Sequence, residues 1–318
     1  MLYSTYRFFC TFKNQAYLPP YKGSTFRGVF GRALKQVVCA LKKQECGQCL
    51  LRKQCIYALV FETGCALEMP KGSKIVSPPH PFVIEPPLST TTQFSAETSF
   101  NFNLVLFGKI NQSLPYFIYA FEQMGAIGIG KKINGTRGRF ELNQVNNSKH
   151  IIYSKSDKKL NAEHKPAELS VDISSTEPDK TFSLKLTLET PLRLKFENRL
   201  KADLPFHVLV RAILRRISSL LNCYGSGEPA LDYRGLVQRA NSVQILESNL
   251  KWFDWKRYSF RQNKSMLMGG ITGSVVYEGK IGEYLPLISF CEKAHLGKQT
   301  AFGLGKIKTE QLSRHLKK

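Results

Sequence analysis

The sequence predicts an α+β protein built from two tandem ferredoxin-like (β-α-β-β-α-β) domains, and three observations point there. The first is an internal repeat: Gly108-Lys109-Ile110-x3-Leu114-Pro115 recurs as Gly279-Lys280-Ile281-x3-Leu285-Pro286, offset by 171 residues (279 − 108). The second is that each copy follows a strand-like run and precedes an apolar helix opened by proline, whose missing N–H costs nothing in a first turn. The third is what comes next. Each helix gives way to a segment rich in glycine and lysine and then to a last strand.

Residues 2–12 alternate like a strand, and Pro19, Pro20 and Gly23 mark a loop before a helix starting near Ser24. On that helix Phe26, Phe30, Leu34, Val37, Val38 and Leu41 fall on one side at about 100° per residue. Phe102 to Phe107 reads as a strand, followed by the helix after Pro115 and the segment from Gly128 to Arg139. Asn146 to Lys180 is polar and loose, and the boundaries expected are a first domain at 1–155, a linker at 156–180 and a second domain at 181–318. In the second half Phe182, Leu184, Leu186 and Leu188 alternate as in a strand. Asp203 suits the N-cap of the next helix, because its carboxylate can accept from the first free N–H groups. Ser274 to Tyr277 is strand-like and precedes the helix after Pro286. Last come a glycine-rich loop from Gly297 to Gly305 and a final strand.

With 42% hydrophobic and 11% aromatic residues, the chain of 318 residues has enough apolar material for two cores and is no disordered basic tail. Lys and Arg number 46 against 24 Asp and Glu, a formal charge of +22 spread along the chain. Such an excess favours nucleic acid as partner over an anionic membrane. No apolar run reaches the ~18 residues of a membrane span. The first residues lack the apolar core and cleavage site of a signal peptide, so a cytoplasmic location is expected. There, the eight cysteines are not expected to form a disulfide framework.

Several segments present this charge. In Gly297-Lys298-x4-Phe302-Gly303-x-Gly305-Lys306, glycine lets backbone N–H groups approach a polyanion while lysine adds positive charge; the alternative is a turn before the last strand. It is no dinucleotide fingerprint, for it lacks the third glycine and a following helix. Gly28, Arg32 and Lys35 lie opposite the apolar side of the first helix, where Gly28 allows close approach; a solvated face is the alternative. Arg27-Gly-Val-Phe-Gly31 echoes an RNA-binding strand motif, but its apolar period is helical. His207, Arg211 and Arg215 form an i, i+4 stripe with Arg216 beside it, matching a phosphate track or a solvated face. From Trp252 to Lys264, aromatics alternate with cations, including Arg257, Tyr258 and Arg261, as where bases stack and phosphates are held; at least one Trp is expected in the core.

Cys39, Cys46, Cys49 and Cys55 lie close enough in sequence to close a tetrahedral thiolate site, and structural zinc is the cofactor expected. Cys10, Cys65, Cys223 and Cys291 sit in apolar settings and read as core. No D-x-D, H-E-x-x-H, P-loop or nucleophile-elbow pattern is present, so RNA cleavage by this chain would use the 2′-hydroxyl as nucleophile, with no catalytic metal. That reaction needs help with deprotonation, a donor to the leaving oxygen and positive charge on the phosphorane. Among the histidines, His164 and His315 lie in the linker and the tail, and His80 sits in a stiff Pro-Pro-His-Pro loop. His295 adjoins the glycine-rich loop and is the one best placed near a phosphate, with a helix C-cap as its alternative role.

These parts together resemble the RAMP superfamily of CRISPR-associated proteins. The residues that carry the resemblance are Lys22-Gly-Ser-Thr-Phe-Arg27-Gly-Val-Phe-Gly, Thr187-Leu-Glu-Thr-Pro-Leu-Arg193, Trp255-Lys-Arg-Tyr-Ser and the terminal glycine-rich loop. Within it, the chain is most similar to the endoribonucleases that process CRISPR precursor RNA, in a subfamily with a four-cysteine insertion. The resemblance implies metal-independent cleavage within the repeat, leaving a 5′-hydroxyl and a 2′,3′-cyclic phosphate, with the glycine-rich loop contacting the RNA. Many relatives carry a catalytic histidine on or beside the first helix. The run from Ser24 to Cys55 has none, and Arg32 stands where it would be sought. The catalytic set expected is therefore Arg32, then Lys35, Tyr21 and His295, for a first helix and glycine-rich loop facing each other across a cleft. The RNA-binding set is Arg27, Arg211, Arg215, Arg257, Tyr258, Arg261, Gly297, Lys298, Gly303, Gly305 and Lys306. The other reading is a non-cutting RAMP subunit that holds guide RNA among the subunits of a CRISPR effector complex.

Overall fold

The computed structural model describes residues 1–69, 75–148, 150–161, 165–173, 177, 179–194, 202–259 and 264–312, without the side chains of 258, 259, 264 and 265. The expected candidate Arg261, and His164 and His315, lie outside the described residues. The chain divides into two compact units: Met1–Glu168 with Asn222–Ser226, and Leu169–Leu221 with Gly227–Lys318.

In the first unit β1 (Leu2–Phe12) leads through a loop to α1 (Gly23–Val38), then to β2 (Phe82–Glu85), β3 (Ser99–Phe107), α2 (Leu114–Ile127) and β4 (Phe140–Asn147). The strand order β2-β3-β1-β4, with every pair antiparallel, is the ferredoxin-like arrangement. Alternation along β1 turns Tyr6, Phe8, Cys10 and Phe12 into the core, where the helices cover one face of the sheet. Phe30 of α1 stacks on Phe121 of α2 at 4.4 Å between ring centres, so a cluster of phenylalanines joins helices to sheet.

The second unit repeats the order with β5 (Thr181–Leu192), α3 (Phe206–Tyr224), β6 (Gln244–Ser248), β7 (Lys251–Ser259), β8 (Lys264–Lys280), α4 (Leu285–Ala294) and β9 (Ile307–Leu312). Here β8 is long enough to pair with both β6 and β7, giving the order β6-β8-β5-β9 with β7 along the rest of β8. Both α2 and α4 carry proline in their first turn, and the repeated Gly-Lys-Ile lies where a strand gives way to a 3₁₀ turn in each unit.

Three expectations change. The polar stretch after Asn146 is partly strand: His150–Ser154 pairs with β4, and Ala167–Glu168 pairs with Leu2–Tyr3. Ile152, Tyr153 and Leu169 are buried and hold it in place, whereas Ile151, Leu160 and Ile173 are exposed. Asp203 does not cap α3; the carbonyl of Pro205 accepts from Val208 and Leu209, because a proline at 205 keeps Leu204 out of helical conformation. Leu41 lies beyond α1 and is exposed, while Val37 and Val38 are only half-buried. Among the described residues no helix is long and apolar enough to cross a membrane.

Candidate functional site

The outer face of α1 keeps its cations available. Arg32 is exposed and makes no hydrogen bond or ion pair among the described residues. Gly28 on the same face opens onto free space, with nothing within 4 Å of where a Cβ would stand. The glycine that α1 needs for packing is Gly31, whose added Cβ would meet the Phe61 ring at 2.9 Å. Lys35 is half-buried, its ammonium 5.4 Å from the centre of the Tyr57 ring. The Arg27 guanidinium lies over the Phe61 ring, 4.7 Å from its centre, so part of its charge is engaged in packing. Just before the helix, Lys22 is fully buried. Its ammonium donates to the carbonyls of Pro20, at 3.2 Å, and Ser89, tying a loop to the start of α1, and burial pulls its pKa down. Tyr21 next to it is a poor proton-transfer group, for burial pushes its phenol far above the ordinary value.

The second unit also presents a cationic helix face. Arg211 and Arg215 are exposed on α3, and His207 beside them is half-buried. Burial first and then Arg211 lower the His207 pKa, against a smaller raising effect from Asp203. Arg216, one residue on, faces inward. Its guanidinium donates to the carbonyls of Ala294 (2.7 Å) and His295 (3.1 Å) and so caps the C-terminus of α4.

The glycine-rich loop packs as a turn before the last strand. Several of its N–H groups are engaged within the protein: Lys298 donates to Arg193 (2.9 Å), Phe302 to Gln299 (3.0 Å), Gly303 to Thr300 (2.7 Å) and Gly305 to Pro191 (3.1 Å). Gly303 and Gly305 are buried, with φ of 81° and 73°, and a Cβ on Gly305 would stand 1.8 Å from the Leu296 carbonyl oxygen. Glycine is required here because chain packs on chain. Of the loop's lysines, Lys298 is exposed, and Lys306 is half-buried with its ammonium 3.6 Å from the Glu189 carboxylate. His295 leaves the catalytic set. It is 0% exposed and caps α4 with φ 58°, and its Nδ1–H donates to the Leu304 carbonyl at 3.0 Å.

The aromatic segment folds as the β7–β8 hairpin. Trp252 and Trp255 are half-buried; Trp252 donates from Nε1 to Asp254 at 2.8 Å, and Phe253 stacks on Trp255 at 5.6 Å. Arg257 is turned over the Phe302 ring at 4.9 Å, and burial lowers its pKa, so its charge is directed at the glycine-rich loop. Tyr258 belongs to β7, with its side chain outside the described ones.

Cys39, Cys46, Cys49 and Cys55 are free, half-buried thiols between α1 and the helix Ile56–Phe61. The Cys46 thiol is raised mainly by burial and further by Glu62, Cys55 and Cys39, while Lys35 opposes this, so these groups are near neighbours. Among the described residues, however, no three His, Cys, Asp or Glu side chains converge to hold a metal. His80 has the structural place expected, its Nδ1 3.1 Å from the Thr63 hydroxyl.

Tandem ferredoxin-like units with cationic helix faces define a protein of the RAMP fold. Residues 186–307 match the family model of the CRISPR-associated endoribonuclease Cas6, and residues 1–165 match a model described as an N-terminal domain. The Cas6 match lies in the second half of the chain. An uncharacterized protein of Archaeoglobus fulgidus is 26% identical over 300 residues, covering 92% of each chain. Among solved structures, the fold is similar to that of a Cas6 (TTHB231) product complex, with a TM-score of 0.55 at 11% identity over 97% of this chain and all of that one. The same protein is also described as Thermus thermophilus Cas6, again with a TM-score of 0.55. A partial Cas6-RT-Cas1--Cas2 complex gives 0.58 at 11% identity, over 99% of this chain and 47% of the other.

Proposed function

We propose that the chain cuts CRISPR precursor RNA within the repeat, without a catalytic metal, by attack of the 2′-hydroxyl on the adjacent phosphate. The new 2′-oxygen–phosphorus bond displaces the 5′-oxygen, which takes up a proton, so the ends are a 2′,3′-cyclic phosphate and a 5′-hydroxyl. The observation that carries the assignment is Arg32, an exposed cation without a partner among the described residues, beside an unobstructed glycine on the helix face of a chain whose second half matches an endoribonuclease family. Arginine stays protonated, so its work is to stabilise the phosphorane charge while another group or water takes the proton. Lys35 adds positive charge on the same face. Arg211, Arg215 and Lys298 are exposed and suited to phosphate contact.

The test is cleavage of repeat RNA in EDTA, with the ends identified as cyclic phosphate and 5′-hydroxyl. Binding without cleavage would instead support the non-cutting subunit of an effector complex. In Arg32→Ala, single-turnover cleavage at saturating RNA is expected to fall ~100-fold while affinity changes little, as on loss of one oxyanion donor. Normal cleavage once bound would remove Arg32 from the chemistry.

A further inference from the structure

The connection between α2 and β4 occupies the same place in the first unit as the glycine-rich loop does in the second, and it is built outward. Ile129–Ile133 pairs with Thr136–Gly138 across a two-residue turn at Asn134 and Gly135, whose φ values of 48° and 80° are those of a tight hairpin turn. Its root is close-packed. A Cβ on Gly130 would lie 2.2 Å from the Tyr17 carbonyl oxygen, and one on Gly138 would lie 2.3 Å from the Ala16 Cβ. Asn14 ties the outgoing strand down, donating to the Arg137 carbonyl (3.1 Å) and accepting from the Arg139 N–H (2.8 Å). The Arg137 guanidinium donates to the Gly130 carbonyl and closes the hairpin on itself.

On this anchored support Lys131, Lys132 and Arg139 are exposed. Lys131 stands over the Tyr17 ring, 4.7 Å from its centre, which places the ammonium without neutralising it. No Asp or Glu occurs between Glu122 and Glu141. Glu141, at the edge, is engaged by Lys13 and Lys155. The result is a rigid, acid-free, positively charged finger, in contrast to the exposed cations elsewhere that pair with carboxylates, such as Arg239 with Glu283 and Asp232.

We infer that the hairpin from Ile129 to Arg139 is a second RNA-backbone site, which holds the substrate strand through phosphate contacts of Lys131, Lys132 and Arg139. Charge complementarity selects a polyanion, and the absence of base-sized aromatic clefts on the hairpin makes the contact one to phosphate rather than to base. The site rests on the proposed RNA substrate but belongs to the binding of the strand and not to its cleavage.

The experiment compares the full chain with Lys131→Gln/Lys132→Gln, with Arg139→Gln as a separate variant. All three side chains are exposed, and equal melting temperatures will confirm intact folds. Binding of repeat RNA and of an oligouridylate is measured against salt, and single-turnover cleavage at saturating RNA is measured alongside. The double variant is expected to bind both RNAs about tenfold more weakly, with a slope of log K against log [salt] lower by about 1.4, or roughly 0.7 per lost contact. Its cleavage rate once bound stays that of the parent. Unchanged affinity and slope overturn the inference and assign the hairpin to another partner, such as an acidic protein surface. If the parent neither binds repeat RNA preferentially nor cuts it, the functional reading fails, while the oligouridylate slopes still decide the hairpin.

Discussion

The two units use the same topology and opposite treatments of the same connection. Between helix and last strand, the second unit folds Gly297 to Gly305 inward, with several of its N–H groups on Arg193, Thr300 and Pro191 and with Gly303, Leu304 and Gly305 buried. The first unit turns its counterpart outward as a short hairpin with exposed Lys131, Lys132 and Arg139. Glycine and lysine therefore carry two meanings. In one place glycine removes a side chain that would collide with the protein itself, and in the other it forms a turn that displays charge. The ligand-facing reading belongs to the segment that leaves Lys131, Lys132 and Arg139 exposed.

The sharpest way to break this contrast is at glycines of like backbone angle. Gly305 and Gly135 have φ of 73° and 80°, yet an added Cβ meets Leu296 at 1.8 Å in the first case and open space in the second. Gly305→Ala combines left-handed strain with overpacking and is expected to cost about 4 kcal/mol. Gly135→Ala carries only the conformational term, about 1 kcal/mol. Denaturant unfolding measures both, and equal losses would mean that the glycine-rich loop is not packed as described.

Adjacent arginines sharpen the comparison next. Arg216→Ala leaves the α4 carbonyls of Ala294 and His295 without their donor and is expected to destabilise by about 3 kcal/mol. Arg215→Ala, on the exposed face, is expected to change stability by less than about 0.5 kcal/mol while lowering the salt dependence of RNA binding. Thermal melting and a salt titration separate the two effects. A reversal would exchange their roles.

The smallest effect concerns pH. His207 has a folded pKa below its ordinary value, chiefly through burial and then through Arg211. Protonation therefore favours the unfolded chain, and its contribution to stability is intact above the ordinary histidine range and declines as pH falls through about 6.5. His207→Gln should flatten that part of the stability curve, which denaturant unfolding across pH measures. RNA phosphate beside Arg211 would raise the pKa again, which an NMR titration with and without RNA reads directly.

Much of the fold was legible in advance. The Gly-Lys-Ile repeat, the prolines of α2 and α4 and the alternation in β1 and β5 depend on local geometry, and each appears where expected. The site was less so. The outward side of α1 followed from helical periodicity, and Arg32 is exposed as that periodicity required. The destinations of His295, Arg216 and Arg257 could not be read in the same way, since each is decided by a partner distant in sequence or across a packed element: Leu304, Ala294 and Phe302. The signal for the hairpin was present in Asn134-Gly135 and the acid-free run from 123 to 140, but the same letters would also suit an inward loop.

By itself, then, the sequence determined two tandem ferredoxin-like units, a strong positive charge and the face of α1 that carries Arg32. These follow from period, composition and the backbone limits of proline and glycine, which act within a few residues. Only the tertiary structure decided which glycine segment is core and which is surface, and which arginines are structural donors. Those outcomes turn on where carbonyls and rings from other elements come to lie. A cation or an N–H group is available to a ligand only when the folded chain has left it without a closer acceptor.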